Sequence, residues 1–224
     1  MRLGIFDSGI GGEAVAKFLT DDFPDAEILI VNDKQNVPYG DKSAAEVTRL
    51  TEAALQPLLT KNCDIIIIAC NTATAVAIES LRHKYPNQKF IGLEPMVKTA
   101  ASLTKSGVVA ICATPATLSS QRYQNLKSQF ATGLKIIEPD CHDWAYIIEH
   151  NRINHHKIAD VIDSACKQGA DVIALGCTHY HWIKELVTEI AAGRAEVIDP
   201  SEAISRRVRQ LLNLSQNFSA SFSN

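Results

Sequence analysis

The sequence lacks the features that mark a membrane, secreted or nucleic-acid-binding protein. Its longest apolar runs have the length of a β-strand, far short of the ~20 residues that span a bilayer. The amino-terminal stretch MRLGIFDSG reaches a charge and glycines too early for a signal peptide. The net charge is −3, whereas phosphate binding needs a basic face. We therefore expect a soluble, cytoplasmic protein with no nucleic-acid partner and no membrane partner.

Paired cysteines are missing as well. The chain has six cysteines but no CxxC pair, which argues against a disulfide scaffold and against a zinc module. Cys63, Cys112 and Cys166 read as small buried hydrophobic residues. Cys177 and His179 form a Cys-x-His pair, but four converging ligands are not visible. We predict no metal site.

What the chain does contain is a regular alternation of strands and helices. The predicted strands are 2–7, 27–33, 64–70, 89–95, 107–114, 134–140, 171–177 and 195–200. The predicted helices are 8–23 with its glycine-rich turn, 44–62, 71–85, 96–105, 115–130, one ending at 150, 156–169, 178–193 and 201–214. Fully apolar strands between amphipathic helices indicate parallel sheets covered on both faces. The pattern restarts halfway, so we expect two tandem α/β halves, followed by a frayed tail at 215–224.

Two strands end in the same unusual way. DIIIIACNTATA (64–75) and DVIALGCTHYH (171–181) each carry a cysteine from the end of an apolar strand into a helix. Ligands bind at that edge of an α/β sheet, and a helix amino terminus lowers the pKa of a thiol. Cys70 and Cys177 are therefore predicted to be two acid/base thiols that face each other across a cleft. The alternative is two unrelated buried cysteines.

The stretch FDSGIGG places Asp7 and Ser8 at the end of the first strand, where either could simply cap a helix. Gly9 to Ala14 also fits a loose G-x-G-x-x-A dinucleotide fingerprint, with Asp33 after the next strand. This match favours a nicotinamide-dependent oxidoreductase only weakly, since Asp7 would put an anion near the pyrophosphate.

The remaining candidates have ordinary interpretations when each is taken alone. VPYGDKS reads as a turn, Thr114 and Thr117 as helix caps, Glu149 as a solvent-facing residue, and His179 as a surface or capping histidine.

Taken together, six stretches change that interpretation. FDSGIGG, VPYGDKS, ACNTAT, ATPAT, GCTHY and IDPSEA occur in this order over nearly the whole chain. In this they resemble the glutamate racemases of the cofactor-independent aspartate/glutamate racemase family. The resemblance implies an isomerase that needs no cofactor and converts L-glutamate to D-glutamate for peptidoglycan.

The resemblance also implies roles for residues. Cys70 and Cys177 match the catalytic cysteines, Asp7 assists the first, His179 assists the second, and Glu149 is a further assisting glutamate. The implied substrate-binding set is Asp7, Ser8, Pro38, Tyr39, Gly40, Cys70, Asn71, Thr72, Thr114, Thr117, Cys177, Thr178 and His179.

The implied fold has two α/β domains with central, mainly parallel sheets, related by a pseudo-twofold axis, with the active site in the cleft between them. The implied domains are 1–94 plus 203–224, and 95–202, with the carboxyl-terminal helix packed on the first half. Family members are often homodimers, but no sequence feature here fixes an interface.

The sequence departs from the family pattern at Glu13, at His142-Asp143-Trp144 and at His181-Trp182. We expect these changes to border the site and to affect substrate selectivity and rate. They leave two alternatives open: a racemase of aspartate or another amino acid, and a non-catalytic protein that binds an amino acid or a protein partner.

Overall fold

Two parallel sheets of four strands each form the frame of the molecule. The computed structural model describes residues 1–213, so the predicted frayed tail lies outside the described residues. The first sheet contains β1 (Arg2–Asp7), β2 (Glu27–Asn32), β3 (Ile65–Ile68) and β4 (Lys89–Gly92). The second contains β5 (Val108–Cys112), β6 (Lys135–Ile137), β7 (Val172–Leu175) and β8 (Glu196–Ile198).

The two sheets share one topology. The strand orders are β2-β1-β3-β4 and β6-β5-β7-β8, and every recorded pairing is parallel. All eight predicted strands are confirmed, and most are shorter at their ends than predicted. The four isoleucines of β3 are fully buried, as expected for a central strand covered on both faces. In both halves, the cysteine of interest follows the third strand of its sheet.

Helices cover the faces of both sheets. They are α1 (Gly11–Asp22), α2 (Ala44–Thr60), α3 (Asn71–Lys84), α4 (Val97–Leu103), α5 (Pro115–Ser119), α6 (Gln121–Phe130), α7 (Trp144–Glu149), α8 (His155–Lys167), α9 (Lys184–Ala191) and α10 (Ser201–Leu211). Among these described residues, no helix is long and apolar enough to cross a membrane.

Two helix predictions were wrong in detail. The predicted helix 115–130 is divided at Ser120, which is extended and caps α6 by accepting a hydrogen bond from Tyr123 N. The predicted helix 178–193 begins as a 3₁₀ helix, Thr178–Ile183, and becomes α-helical only at Lys184. This first part contacts both α1 and α7.

The last helix packs on the sheet farther from it in sequence. Ile204 and Val208 of α10 belong to the same buried cluster as Leu3 and Ile5 of β1. The expectation that the carboxyl-terminal helix covers the first half is therefore confirmed for the described residues. The last residue of the predicted helix, Leu214, lies beyond them.

Candidate active site

A cavity of 390 Å³ lies between the two halves and takes its walls from both. Its lining includes eleven of the predicted site residues: Ser8, Pro38, Tyr39, Gly40, Cys70, Asn71, Thr72, Thr114, Cys177, Thr178 and His179. Asp7, Thr117 and Glu149 are not part of the lining formed by the described residues. They lie behind it and contact the residues that line it.

Cys70 caps helix α3. Its sulfur accepts hydrogen bonds from Ala73 N at 3.4 Å and from Ser8 Oγ at 3.2 Å. Burial nevertheless raises the pKa of Cys70 to about 12, and the nearby Asp7 carboxylate raises it too. The Ala73 N–H at the amino terminus of α3 does lower this pKa, as expected, but desolvation of the thiolate outweighs the two donors, so the net shift is upward.

Asp7 joins the two halves. It is fully buried at the end of β1, and its Oδ1 accepts a hydrogen bond from Gly9 N at 2.8 Å. Its Oδ2 accepts one from Thr178 Oγ1 at 2.9 Å, across 171 residues of sequence. Burial raises the pKa of Asp7, against the opposing effects of nearby His179 and of these two donors.

Cys177 lies beside a histidine–glutamate pair. Its sulfur is 3.8 Å from Nδ1 of His179, and Nε2 of that ring is 2.6 Å from Oε2 of Glu149. The same Glu149 oxygen accepts a hydrogen bond from Ile10 N at 3.0 Å. Glu149 is thus brought to the second thiol and does not face solvent as its sequence context alone suggested.

The titration of this pair follows from its contacts. Burial lowers the pKa of His179, but the hydrogen bonds to Cys177 and Glu149 outweigh burial and raise it to about 11. Burial likewise opposes ionisation of Glu149, but its bonds to His179 and Ile10 outweigh this and lower its pKa. A protonated His179 therefore places a positive charge beside the sulfur of Cys177.

The glycine turn is filled by protein. A Cβ on Gly9 would come within 2.6 Å of Glu149 Oε2, and a Cβ on Gly11 would overlap Thr178. Asp33 accepts hydrogen bonds from the Tyr39 hydroxyl at 2.8 Å and from Asn36. The backbone that would approach a pyrophosphate therefore contacts the second half, and the acid that would hold a ribose holds the loop of Tyr39. These contacts argue against the dinucleotide interpretation.

The threonines after β5 act as a pair. Thr114 caps α5 through Thr117 N at 3.3 Å, and the two hydroxyl oxygens are 3.0 Å apart. Thr114 reaches the cavity wall, whereas Thr117 is buried behind it. Thr117 can therefore orient the Thr114 hydroxyl without lining the cavity itself.

The departures from the family pattern separate into two groups. His142 and Asp143 line the cavity, as expected. The expectation was wrong for His181 and Trp182, which are absent from the cavity wall formed by residues 1–213. The buried His181 ring points toward Asp199, 3.9 Å away, and Trp182 is exposed.

Glu13 forms a surface ion pair with Lys34, and Trp144 packs against Tyr180.

Sequence reasoning missed six further residues of the wall. They are Val37, Asp41, Pro115, Ala116, Ala145 and Tyr146. The first four lie within the stretches VPYGDKS and ATPAT, so their position in the chain was a usable signal. Ala145 and Tyr146 reach the wall through the orientation of α7, which no pattern in the sequence specifies. Among the described residues, no group of three His, Cys, Asp or Glu side chains could hold a metal ion.

Known proteins resemble this chain over most of its length. The sequence pattern of the Asp/Glu/Hydantoin racemase family matches residues 13–208. The glutamate racemase of Ectopseudomonas mendocina is 34% identical over 214 residues, which is 94% of this chain and 81% of that protein.

Two solved structures have a similar fold. The Escherichia coli glutamate racemase, in complex with L-glutamate and the activator UDP-MurNAc-Ala, is 27% identical with a TM-score of 0.81, covering 95% of this chain and 82% of that one. The Francisella tularensis glutamate racemase, in complex with D-glutamate, is 28% identical with a TM-score of 0.78, covering 95% and 81%.

Proposed function

Because the chain belongs to the Asp/Glu/Hydantoin racemase family, and is thereby an isomerase of the amino-acid racemase type, we propose that it interconverts L- and D-glutamate. In this reaction Cys70 and Cys177 work as two bases on opposite faces of the α-carbon. The observation that carries the proposal is the cavity that has both thiols in its wall, one from each half of the molecule.

The proposed reaction removes one proton from the α-carbon and returns one proton to its opposite face. One thiolate removes the α-proton, and the electron pair of the broken C–H bond stays on the α-carbon and its carboxylate. The other thiol then gives its proton to the opposite face, which inverts the configuration. The reverse reaction exchanges the two roles, so the thiols must carry one proton between them when substrate binds.

The asymmetry of the two sites suggests where that proton starts. Burial raises the pKa of Cys70 and keeps it a thiol, whereas Cys177 lies beside the positive charge of a protonated His179. The substrate ammonium group would lower the pKa of a nearby thiol through its charge. Binding of the amino acid can therefore bring Cys70 into a range where it too exchanges protons.

The cavity also supplies what a carbanion needs. An α-proton next to a carboxylate is very weakly acidic, so the developing charge requires oriented donors in a site shielded from water. Asn71 and Thr72 stand at the amino terminus of α3, where free N–H groups point at a ligand. The Thr114 hydroxyl can add a further donor along the wall, whereas the hydroxyls of Ser8 and Thr178 already donate to Cys70 and Asp7.

Deuterium exchange tests this proposal directly. L-Glutamate incubated with the protein in D₂O, with no added cofactor, should lose its α-proton NMR signal while its optical rotation decays toward zero. D-Glutamate should behave in the same way. The proposed reaction would be refuted if neither enantiomer exchanged its α-proton or lost its optical rotation. Thermal stabilisation by glutamate without turnover would then favour a non-catalytic binding protein.

A second substrate is favoured by one observation. His142 and Asp143 line the cavity, and Asp143 pairs with Lys157 at 2.5 Å. An added carboxylate in the wall disfavours a second substrate carboxylate nearby. Racemisation of an amino acid without a side-chain carboxylate is therefore the alternative that this observation favours, and a panel of L-amino acids that includes aspartate, followed by polarimetry, distinguishes it from glutamate racemisation.

We further propose that D-glutamate made in the cytoplasm supplies peptidoglycan. The proposed domains are 1–94 plus 203–224, and 95–202, in keeping with the packing of α10 on the first sheet. The homodimer stays a prediction, which sedimentation at several protein concentrations can test.

A further inference from the structure

The turn between β1 and α1 contacts the second half of the molecule at its acid/base groups. Gly9 lies where any side chain would meet Glu149 Oε2 at 2.6 Å and His179 Nε2 at 2.9 Å. The next residue, Ile10, donates its backbone N–H to the same Glu149 oxygen at 3.0 Å. A tight turn in one half thus holds a carboxylate of the other, 139 residues away in sequence.

The contact with Glu149 leads directly to one of the two thiols, while the Gly9 N–H, which Gly9→Ala retains, bonds to Asp7 near the other. Glu149 bonds to His179, and His179 lies beside Cys177. The hydrogen bonds recorded for Cys70 come from Ser8 and Ala73, both in its own half. A change in how the two halves meet at Gly9 and Ile10 should therefore reach Cys177 through Glu149 and His179.

We propose that Gly9 and the backbone amide of Ile10 are positioning residues for Cys177, which is held ready as a base only while the two halves are closed. This inference rests on the proposed racemisation. When the halves close, the Ile10 amide fixes the Glu149 carboxylate in line with His179. When they separate, Glu149 loses that donor, and His179 is no longer held against the thiol.

The test needs a reaction that uses a single base. The equilibrium constant of racemisation is one, so kcat/KM falls equally in both directions whichever thiol is impaired. A β-chlorinated glutamate instead loses HCl after one proton abstraction: the α-proton goes to the thiolate, chloride leaves with the C–Cl electron pair, and the resulting enamine hydrolyses to 2-oxoglutarate and ammonia. Cys70→Ala and Cys177→Ala show which enantiomer each thiol attacks.

Gly9→Ala should slow chloride release from the enantiomer attacked by Cys177 by about 30-fold and from the other enantiomer by less than about 3-fold. The pH at half-maximal rate for the first enantiomer should rise by about one unit, because a less firmly held His179 stabilises the thiolate less. Added to Glu149→Gln, Gly9→Ala should cause no further loss, since both act through one contact.

A second pair of variants guards against misfolding of Gly9→Ala. Ile10→Pro removes the N–H that bonds to Glu149, and the observed φ of −79° suits proline. Ile10→Ala loses the same side-chain packing but keeps the N–H. Relative to Ile10→Ala, Ile10→Pro should therefore slow chloride release from the enantiomer attacked by Cys177 and raise the pH at half-maximal rate for it.

Equal losses with both enantiomers and an unchanged pH profile, in Gly9→Ala and in Ile10→Pro alike, would overturn the positioning role. So would additive effects of Gly9→Ala and Glu149→Gln. Failure of the proposed function looks different, because the unaltered protein would then neither exchange the α-proton of glutamate nor racemise it.

Discussion

The two thiols stand at equivalent places in two sheets of the same topology, yet the charged side chains beside them differ in sign. Cys70 follows β3, and burial, together with the nearby carboxylate of Asp7, raises its pKa to about 12. Cys177 follows β7 and lies beside His179, whose pKa, against the effect of burial, is raised to about 11 by its hydrogen bonds to Cys177 and Glu149. The repeated fold sets the position of each sulfur, whereas neighbours from other segments set its protonation.

The largest expected effect comes from removing either thiol. Cys70→Ser and Cys177→Ser should each lower the racemisation rate by about 1000-fold or more, because a hydroxyl is too weak an acid to replace a thiol and both proton transfers are needed. Polarimetry with L- and D-glutamate measures this loss. Cys166→Ser, on α8 and outside the cavity wall, should keep full activity, and full activity in either catalytic variant would exclude the two-base reaction.

The next largest effect should act through Cys177 alone. Glu149→Gln removes the charge that stabilises a protonated His179, which is a loss of about 1.5–3 kcal/mol for a charged hydrogen bond, or roughly 10- to 100-fold in rate. The pH at half-maximal racemisation should rise. A rate loss without a change in the pH profile would contradict the assigned role, and Glu185→Gln on the first turn of α9 is the matched surface control.

The packing of α10 on the first half can be tested through the stability of the protein. Val208 is fully buried in α10 among residues of the first sheet, so Val208→Ala should lower the free energy of unfolding by about 2 kcal/mol. Urea denaturation followed by circular dichroism measures the change. Arg206→Ala, on the exposed side of the same helix, should change it by less than about 0.5 kcal/mol, and equal effects would argue against this packing.

The smallest expected effect lies on the Cys70 side. Burial dominates the pKa of Cys70, and the Ser8 hydroxyl opposes it through a 3.2 Å hydrogen bond. Ser8→Ala should raise that pKa further, move the rising limb of the pH–rate profile to higher pH, and slow racemisation by about 5-fold. A shift toward lower pH would show that Ser8 does not stabilise the thiolate.

The fold could be predicted well because its signals are local. Apolar runs such as 65–68 mark buried strands, and the two cysteine junctions mark the ligand-binding edge. The division at Ser120 was missed because it depends on a single serine that caps a new helix. Ala145 and Tyr146 were missed because their exposure to the cavity depends on how α7 packs through Trp144 and Ile148.

By itself the sequence determined which residues stand at the carboxyl edge of the buried strands, among them the two thiols and Asp7, and the family to which the chain belongs. Periodicity and strand-end motifs are properties of neighbouring residues, so they can be read along the chain. Only the tertiary structure decided which carboxylate serves which thiol and that burial raises the pKa of Cys70. Those properties depend on burial and on contacts such as Asp7–Thr178 and Ile10–Glu149, between residues more than a hundred positions apart.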